Sequence, residues 1–550
     1  MIKKFYIIDL RFKHSNFSLS NYIDDGAEIL SLTPYSSFLL ENIEKNFITF
    51  HNIISEQTFH SIVINKYKNF ENIFNKFKEL GFLFREFAFL LTYEEYINSI
   101  QNYLKNKKKQ NFEIHYITDS SKVENKKINF LKESYLFNLN IIDFFVLVNQ
   151  KNVTFYKTNK FINNFNFLRY KQSLIAKVIN RVFLRKKRLI DDVLKFFNVF
   201  NSLKPIIPKD GRDINIDLVN KLHLEIGNNL KEYDDFFYKQ YLSILSRFKN
   251  RLISSKLEPI TFIYFTYLAN EKDFFDSLIY DYNNIIKIFI QHGSYLYDHI
   301  FFKYNEIYPA NINLVLNDYT KNQFLKYKTG NIYSIQSVNF NYKIKEDEEK
   351  KYDFLYITHC TAYSHNAIYI DGIHSFYSMD GNNIYQRHKQ IIKLFATKFK
   401  DKKICIKVQP GIMTETMLYI PFLELSKDYS NVSIEFSVPI QKLILKSKYI
   451  ISDYFSSEFI NREIHYKRDI ILFNSAPLIL PEETVDDMNK MFILVETVDD
   501  LEEKIKNIEV ITKHRLRYDD IIEYYSSKKC DTKKVIAKII EKELNARNNS

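Results

Sequence analysis

In the second half of the chain, short apolar runs alternate with longer segments whose apolar positions recur at helical spacing. DFLYITH, KKICIKVQP, NVSIEF, YIISD, DIILFN and FILVET read as strands. Residues 384–399 and 414–427, and the segments PIQKLILKSK, SSEFINREIHYK and VDDLEEKIKNI, read as the helices between and after them. Strand–helix repetition with crossovers of about 10–15 residues demands right-handed parallel connections and predicts a doubly wound sheet.

A looser version of this rhythm runs through the first half. KKFYIIDL and AEILSL read as strands, SSFLLENIEKN opens a helix, and NFENIFNKFKELGFLF is amphipathic. Further on, PITFIYFTYLA, IIKIFIQHG and INLVLND read as strands, with NEKDFFDSLIYDYNN and TKNQFLKY as helices. Residues 160–250 break the alternation, being helix-periodic and rich in Phe, Leu, Lys and Arg, and predict a helical insertion. The dense mixed-charge run YKIKEDEEKKYD, 342–353, predicts a linker between domains. The expected organisation is an α/β domain over 1–341 carrying that insertion, a second α/β domain over 342–515, and a helical segment over 516–550. Two such domains would face each other across a cleft between strand carboxyl ends, where open α/β sheets bind ligands.

Composition changes this picture little. At 550 residues the chain exceeds one ordinary core, and 46% hydrophobic with 26% charged residues is a soluble globular profile. No apolar stretch approaches the ~20 residues of a membrane span, and the apolar part of the opening segment MIKKFYIIDLRFKHS is too short for a secretory signal. The expectation is a cytoplasmic protein. The net charge of +12 is spread along the chain, which argues against a nucleic-acid stripe and leaves a weak attraction to anionic membrane surfaces. The run RVFLRKKRLIDDVLKFF, 181–197, makes a basic amphipathic helix suited either to solvent or to a membrane surface. Cys360, Cys405 and Cys530 are too far apart for a metal cluster and read as buried thiols.

The candidate chemistry lies at predicted strand ends. Gln291, His292 and Gly293 end the run IIKIFI, and a glycine there lets backbone approach a ligand closely. Five of the 9 glycines (Gly293, Gly330, Gly372, Gly381, Gly411) fall around the predicted cleft. In IKVQPG, Lys407 and Gln409 share one side of a strand that Pro410 and Gly411 terminate, so a lysine stands ready to balance diphosphate charge. In YIISDYFSSEF, the strand stops at Ser452 and Asp453, and Ser456, Ser457 and Glu458 open a helix. Serines there either cap the free amides or present hydroxyls and N–H groups to a phosphate. His359 and Thr361 follow another strand and are candidates for phosphate contact. His359 with His365, Asp371 and His374 suggests a metal, but the spacing matches no zinc pattern, and no metal is expected. The carboxylates of IDDGAEI, 23–29, read as a turn.

With these motifs in view, residues 285–510 resemble GT-B type transferases of bacterial surface polysaccharides, nearest to the CDP-glycerol glycerophosphotransferase group and related capsule transferases. The likeness rests on Gln291-His292-Gly293 after a first-domain strand, on Lys407-Val408-Gln409-Pro410, and on Ser452-Asp453-Tyr454 with Ser456-Ser457. Two positions depart from it. Gln409 stands where that group has histidine, and Phe455 interrupts its Asp-Tyr-Ser-Ser order. The resemblance implies two Rossmann-like domains and transfer from a nucleotide-activated donor to an acceptor hydroxyl. His292 would act as general base, and the donor would rest on Gln291, Gly293, His359, Thr361, Lys407, Gln409, Pro410, Gly411, Ser452, Asp453, Ser456, Ser457 and Glu458. It implies no cofactor beyond the donor itself, a saccharide or lipid-linked acceptor, and contact with the inner face of the plasma membrane. A nucleotide-sugar epimerase or hydrolase, or a nonenzymatic binding protein on the same fold, stays open as an alternative.

Overall fold

The computed structural model describes residues 3–10, 18–80, 82–118, 154–157, 212–229, 235–254, 262–265, 286–291, 307–308, 310–327, 331–335, 349–358, 381–407, 426–435, 438–452, 468–474, 482–513, 521, 524–525 and 532–548. Their strands form three sheets, and every strand pair is parallel.

The first sheet holds β1 (Lys3–Asp9), β2 (Glu28–Ser31), β3 (Phe112–Thr118) and β4 (Thr154–Lys157) in the order β2-β1-β3-β4. Strand alternation sends Phe5, Ile7, Ile114 and Tyr116 to one face and Tyr6, Ile8 and Ile117 to the other. The first face is covered by long helices. In helix Glu56–Phe74 the buried residues Phe59, Val63, Tyr67, Phe70 and Phe74 recur at steps of three and four, which makes one apolar stripe. Ser55 caps that helix by accepting from the Thr58 amide. Helices Phe82–Lys109, Arg212–Asn229 and Asp235–Ser254 complete the layer, so part of the segment expected as a helical insertion is helical and packs here. The rest of that segment lies outside the described residues.

The second sheet holds β5 (Phe262–Phe265), β6 (Ile286–Ile290), β7 (Ile312–Val315) and β8 (Ile332–Ser334) in sequential order. Ile288, Ile290, Ile312 and Leu314 pack against Ile536, Ile539 and Ile540 of helix Thr532–Asn548. The closing segment packs against two of the sheets. Tyr525 sits in the core of the third sheet, its backbone carbonyl accepts from Asn317 Nδ2 (2.9 Å), and its hydroxyl donates to Asp487 (3.1 Å).

The third sheet is the regular one. β9 (Tyr352–Ile357), β10 (Ile404–Lys407), β11 (Val432–Glu435), β12 (Ser447–Ser452), β13 (Asp469–Phe473) and β14 (Ile493–Val495) pair in the order β11-β10-β9-β12-β13-β14. Every one of these strands matches an apolar run read from the sequence. The chain winds outward from β9 to β11, crosses back to β12 and winds the other way, which is the doubly wound, Rossmann-like order. Helices cover both faces. Leu443, Ile444 and Met488 lie over Leu355, Ile357, Cys405 and Ile450, while Ile391, Phe395, Leu501 and Ile505 lie over Phe354, Tyr356, Ile406 and Ile451.

The latter core continues into the first sheet, because Tyr6, Ile8, Ile29 and Phe38 belong to the same apolar cluster. Helix Pro34–Asn42 meets helix Gly381–Thr397 there. Ser37 Oγ donates to Asn382 Oδ1 (2.7 Å), and Glu41 receives Tyr385 (3.2 Å), Gln386 (3.1 Å) and Lys389 (2.8 Å). Among the described residues no helix is long and apolar enough to cross a membrane.

Candidate functional site

In a sheet of this order, β9 and β12 flank the point where the winding reverses, and the crevice beyond their carboxyl ends is where a ligand is received. The strand register there is explicit. Lys407 pairs with Ile357, Ile357 pairs with Ser452, and on the far side Lys407 pairs with Glu435. In parallel strands, residues in register share a face, so Glu435, Lys407, Ile357 and Ser452 form one row across the carboxyl edge. With strands about 4.8 Å apart, Lys407 and Ser452 stand about 10 Å from each other, one on each side of Ile357.

Three members of the row are enclosed, and Glu435 at the outer strand is half-buried. Lys407 is only 5% exposed and Ser452 fully buried. Thr358, one residue past β9, is buried and lies on the opposite face by alternation. Its N–H donates to the Lys407 carbonyl (3.2 Å), as does its hydroxyl (3.4 Å), which extends the β9–β10 ladder past the strand end. The neighbouring thiol is not chemically active. Cys405 is buried, and burial pushes its thiol up to about 11, which fits the expected buried thiol rather than a nucleophile.

Gln291 has a different setting from the one its motif suggests. It is fully buried, its N–H donates to the Leu314 carbonyl (2.9 Å), and its Oε1 accepts from the Leu316 amide (2.7 Å). The side chain thereby ties the end of β6 to the end of β7, and its carbonyl oxygen is committed to the backbone.

Of the residues singled out in the sequence, Gln291, Lys407 and Ser452 are described, and the register brings the last two together. His292, Gly293, His359, Thr361, Gln409, Pro410, Gly411, Asp453, Ser456, Ser457 and Glu458 lie outside the described residues, as do the histidines of the suspected metal cluster, Cys360 and Cys530. Among the described residues no group of His, Cys, Asp and Glu is arranged to hold a metal ion. The acidic pair of IDDGAEI is a turn, with Gly26 at φ 74°, Asp24 paired with Lys4 (2.7 Å) and Asp25 with Lys45 (2.5 Å). Hydrogen bonds from Lys4 and Tyr6 hold the Asp24 carboxyl below its ordinary range. Sequence reading missed Thr358 and Glu435. Each is the residue at or just past the end of an apolar run, so the signal was present but indistinguishable from an ordinary strand end.

No family model matches the chain, and no curated protein matches it. Among solved structures it is similar to Staphylococcus aureus TarM, described in complex with UDP, at 16% identity over 50% of this chain and 54% of that one, with a TM-score of 0.30. It is also similar to Methanocaldococcus jannaschii UDP-GlcNAc 2-epimerase at 16% identity over 56% of this chain and 81% of that one (TM-score 0.33). A third is Acinetobacter baumannii MurG, at 8% identity over 80% and 93% (TM-score 0.31). The match spans about half the length of TarM. At these scores the likenesses assign no residue a role, and the site stands on its own topology.

Proposed function

We propose that this chain is a GT-B type transferase that moves a sugar or glycerophosphate-type group from a nucleotide-activated donor to a hydroxyl of a cell-surface polysaccharide acceptor, without a metal. One observation carries the reading: a buried lysine and a buried serine, Lys407 and Ser452, stand in one row on either side of Ile357 at the switch point of a doubly wound sheet. The resemblance of 285–510 to surface-polysaccharide transferases supports the same assignment.

In this reading the domain over 342–515 receives the donor. Lys407 supplies fixed positive charge, and Ser452, with Asp453, Ser456 and Ser457, supplies hydroxyls and N–H groups to the departing phosphate. Gln409, Pro410, Gly411, His359 and Thr361 are assigned to the same donor by the sequence. His292, the next residue after Gln291 in the chain, takes the acceptor proton. The acceptor is a saccharide or lipid-linked saccharide, and the work is done in the cytoplasm at the inner face of the membrane.

The test is a thermal-shift panel of CMP, CDP, UDP, GDP and their sugar or glycerol conjugates, with and without a chelator. A selective shift for one nucleoside diphosphate, insensitive to the chelator, is expected. No shift with any of them, or a shift abolished by the chelator, overturns the reading. Donor turnover without an acceptor would instead make the protein an epimerase or hydrolase.

A further inference from the structure

The second and third sheets have separate apolar cores, and one buried side-chain amide joins them. Asn317 lies just past β7, is fully buried, and is the N-cap of helix Asp318–Leu325, where its Oδ1 accepts from the Thr320 N–H (2.8 Å). A cap needs only such an oxygen, and Ser55 and Thr497 cap their helices with a hydroxyl. Asn317 adds a donor. Its Nδ2 reaches the Tyr525 carbonyl (2.9 Å), 208 residues along the chain. Tyr525 is held from the far side by the third sheet. It is 4% exposed, it packs in the core that contains Leu355, Cys405 and Ile450, and its hydroxyl donates to Asp487 of helix Glu482–Met491 (3.1 Å). Tyr319, two residues past Asn317, enters the same core with its ring 5.0 Å from that of Tyr525 and 6.0 Å from that of Tyr524. Asn322 Nδ2 donates to the Tyr524 hydroxyl (3.1 Å). On the other side of Asn317, the Leu316 N–H is held by Gln291 Oε1 (2.7 Å). A line of bonded groups therefore runs from the end of β6, through the end of β7, into the core of the third sheet.

We propose that Asn317 is a positioning residue that pins the carboxyl edge of the second sheet to the third. Its amide oxygen sets the start of the helix, and its amide nitrogen sets how that edge stands against the donor-side sheet. Separating the two would leave a buried donor and a buried carbonyl without partners, so the pin resists drift of one sheet against the other. The closing segment is the natural place for it, because that segment carries Tyr525 in the third core and Ile536, Ile539 and Ile540 in the second. The pin itself depends on no ligand. Its effect on transfer rests on the proposed function, in which the acceptor base follows Gln291 and the donor phosphates meet Lys407. A displacement of about 1 Å between such groups costs up to about a hundredfold in rate.

Three variants of the full chain test it. Asn317→Ser keeps a hydroxyl cap but is too short to reach Tyr525, and Asn317→Ala loses both bonds. Tyr525→Phe keeps the ring and releases only the Asp487 end, and it serves if the other two do not fold. The first readout is amide hydrogen exchange with no ligand present. Asn317→Ser should exchange about tenfold faster in the peptides that cover Asn317 and Tyr525, with β1 and β3 unchanged. Asn317→Ala should add a faster Thr320 amide, and Tyr525→Phe should loosen the same two segments. Acceleration around position 317 alone would make Asn317 a plain helix cap, and no acceleration at Tyr525 in any variant would remove the pin; either overturns the proposal. The second readout is the nucleoside diphosphate of the panel by calorimetry, beside the transfer rate at saturating donor. Asn317→Ser should leave the affinity unchanged and lower the rate about tenfold. An unchanged rate, or a loss of affinity as large as the loss of rate, overturns the positioning role. If no nucleotide binds the wild type, the donor reading falls and the exchange result alone decides the pin.

Discussion

Two buried lysines, one in the second sheet and one in the third, show how little burial alone says about a role. Lys287 in β6 is 1% exposed, and Lys407 in β10 is 5% exposed. Both lie in strands of parallel sheets, with an isoleucine as a partner in register. Lys287, however, is the second residue of its strand, toward the amino end, where its backbone is clamped by Asn311: the Lys287 N–H donates to Asn311 Oδ1 (2.7 Å) and its carbonyl accepts from the Asn311 N–H (2.8 Å). Lys407 is the last residue of its strand, at the carboxyl edge beside the switch point. The first position lies at the amino end of its strand, while the second lies at the carboxyl edge, the side on which α/β sheets receive ligands. Ligand chemistry is read from which end of the strand a polar residue occupies, not from how deeply it is buried.

The most demanding test of that contrast is a pH series on Lys287→Met. Burial pulls the Lys287 ammonium down to about 7. Between that value and its ordinary range near 10.5, the unfolded chain binds the proton and the folded chain does not. Stability contributed by this position is therefore greatest above the ordinary value and is lost as pH falls toward 7, by at most about 1.4 kcal/mol per pH unit. Lys287→Met should be more stable than the wild type by a few kcal/mol at pH 7, with the difference shrinking toward pH 10, and should bind nucleotide unchanged. A destabilised variant, or one with altered nucleotide affinity, would erase the distinction between the two lysines.

Lys407→Ala should behave the other way round. Affinity for the nucleoside diphosphate is expected to fall about a hundredfold, equivalent to ~2.7 kcal/mol, measured by calorimetry. Its unfolding midpoint should move far less than its affinity. The smallest expected effect separates clamp from contact. Gln291→Ala leaves the Leu316 amide buried without its acceptor and should cost ~1–3 kcal/mol in urea unfolding. Donor affinity should be unchanged, since the Gln291 oxygen faces a backbone amide; a loss of affinity equal to the loss of stability would return Gln291 to the binding site.

A related contrast holds at the sheet ends. The first sheet also finishes in polar residues, but Ser31, Thr33, Ser36 and Ser37 spend their hydroxyls on one another, on Leu10 and on Asn382. That network is a seam between the first sheet and helix Gly381–Thr397, with no net charge to recruit an anion. From the sequence, SLTPYSS and YIISDYFSS look alike, each an apolar run ending in hydroxyls before a helix. What separates them is the company each keeps: Asn382 in one case, and Lys407 two strands away in the other.

Much of the architecture was legible beforehand because it is local. All six strands of the third sheet fall on the segments read as strands, and the central ones are unbroken apolar stretches because a strand buried on both faces needs one and nothing distant can supply it. Strands β3 and β4 were not legible, because FEIHYIT mixes His and Glu into its alternation and TFYK is too short to stand out.

The amino-acid order by itself determined the alternation of strands and helices and the polar residues at strand ends, because periodicity and turn chemistry act over a few neighbouring positions. Tertiary structure alone decided the order β11-β10-β9-β12-β13-β14, the apolar core shared by the first and third sheets, and the placing of Glu435 beside Lys407. Those depend on which strand lies next to which, and lateral neighbours are chosen by the burial of whole faces across the chain, a quantity no local window contains.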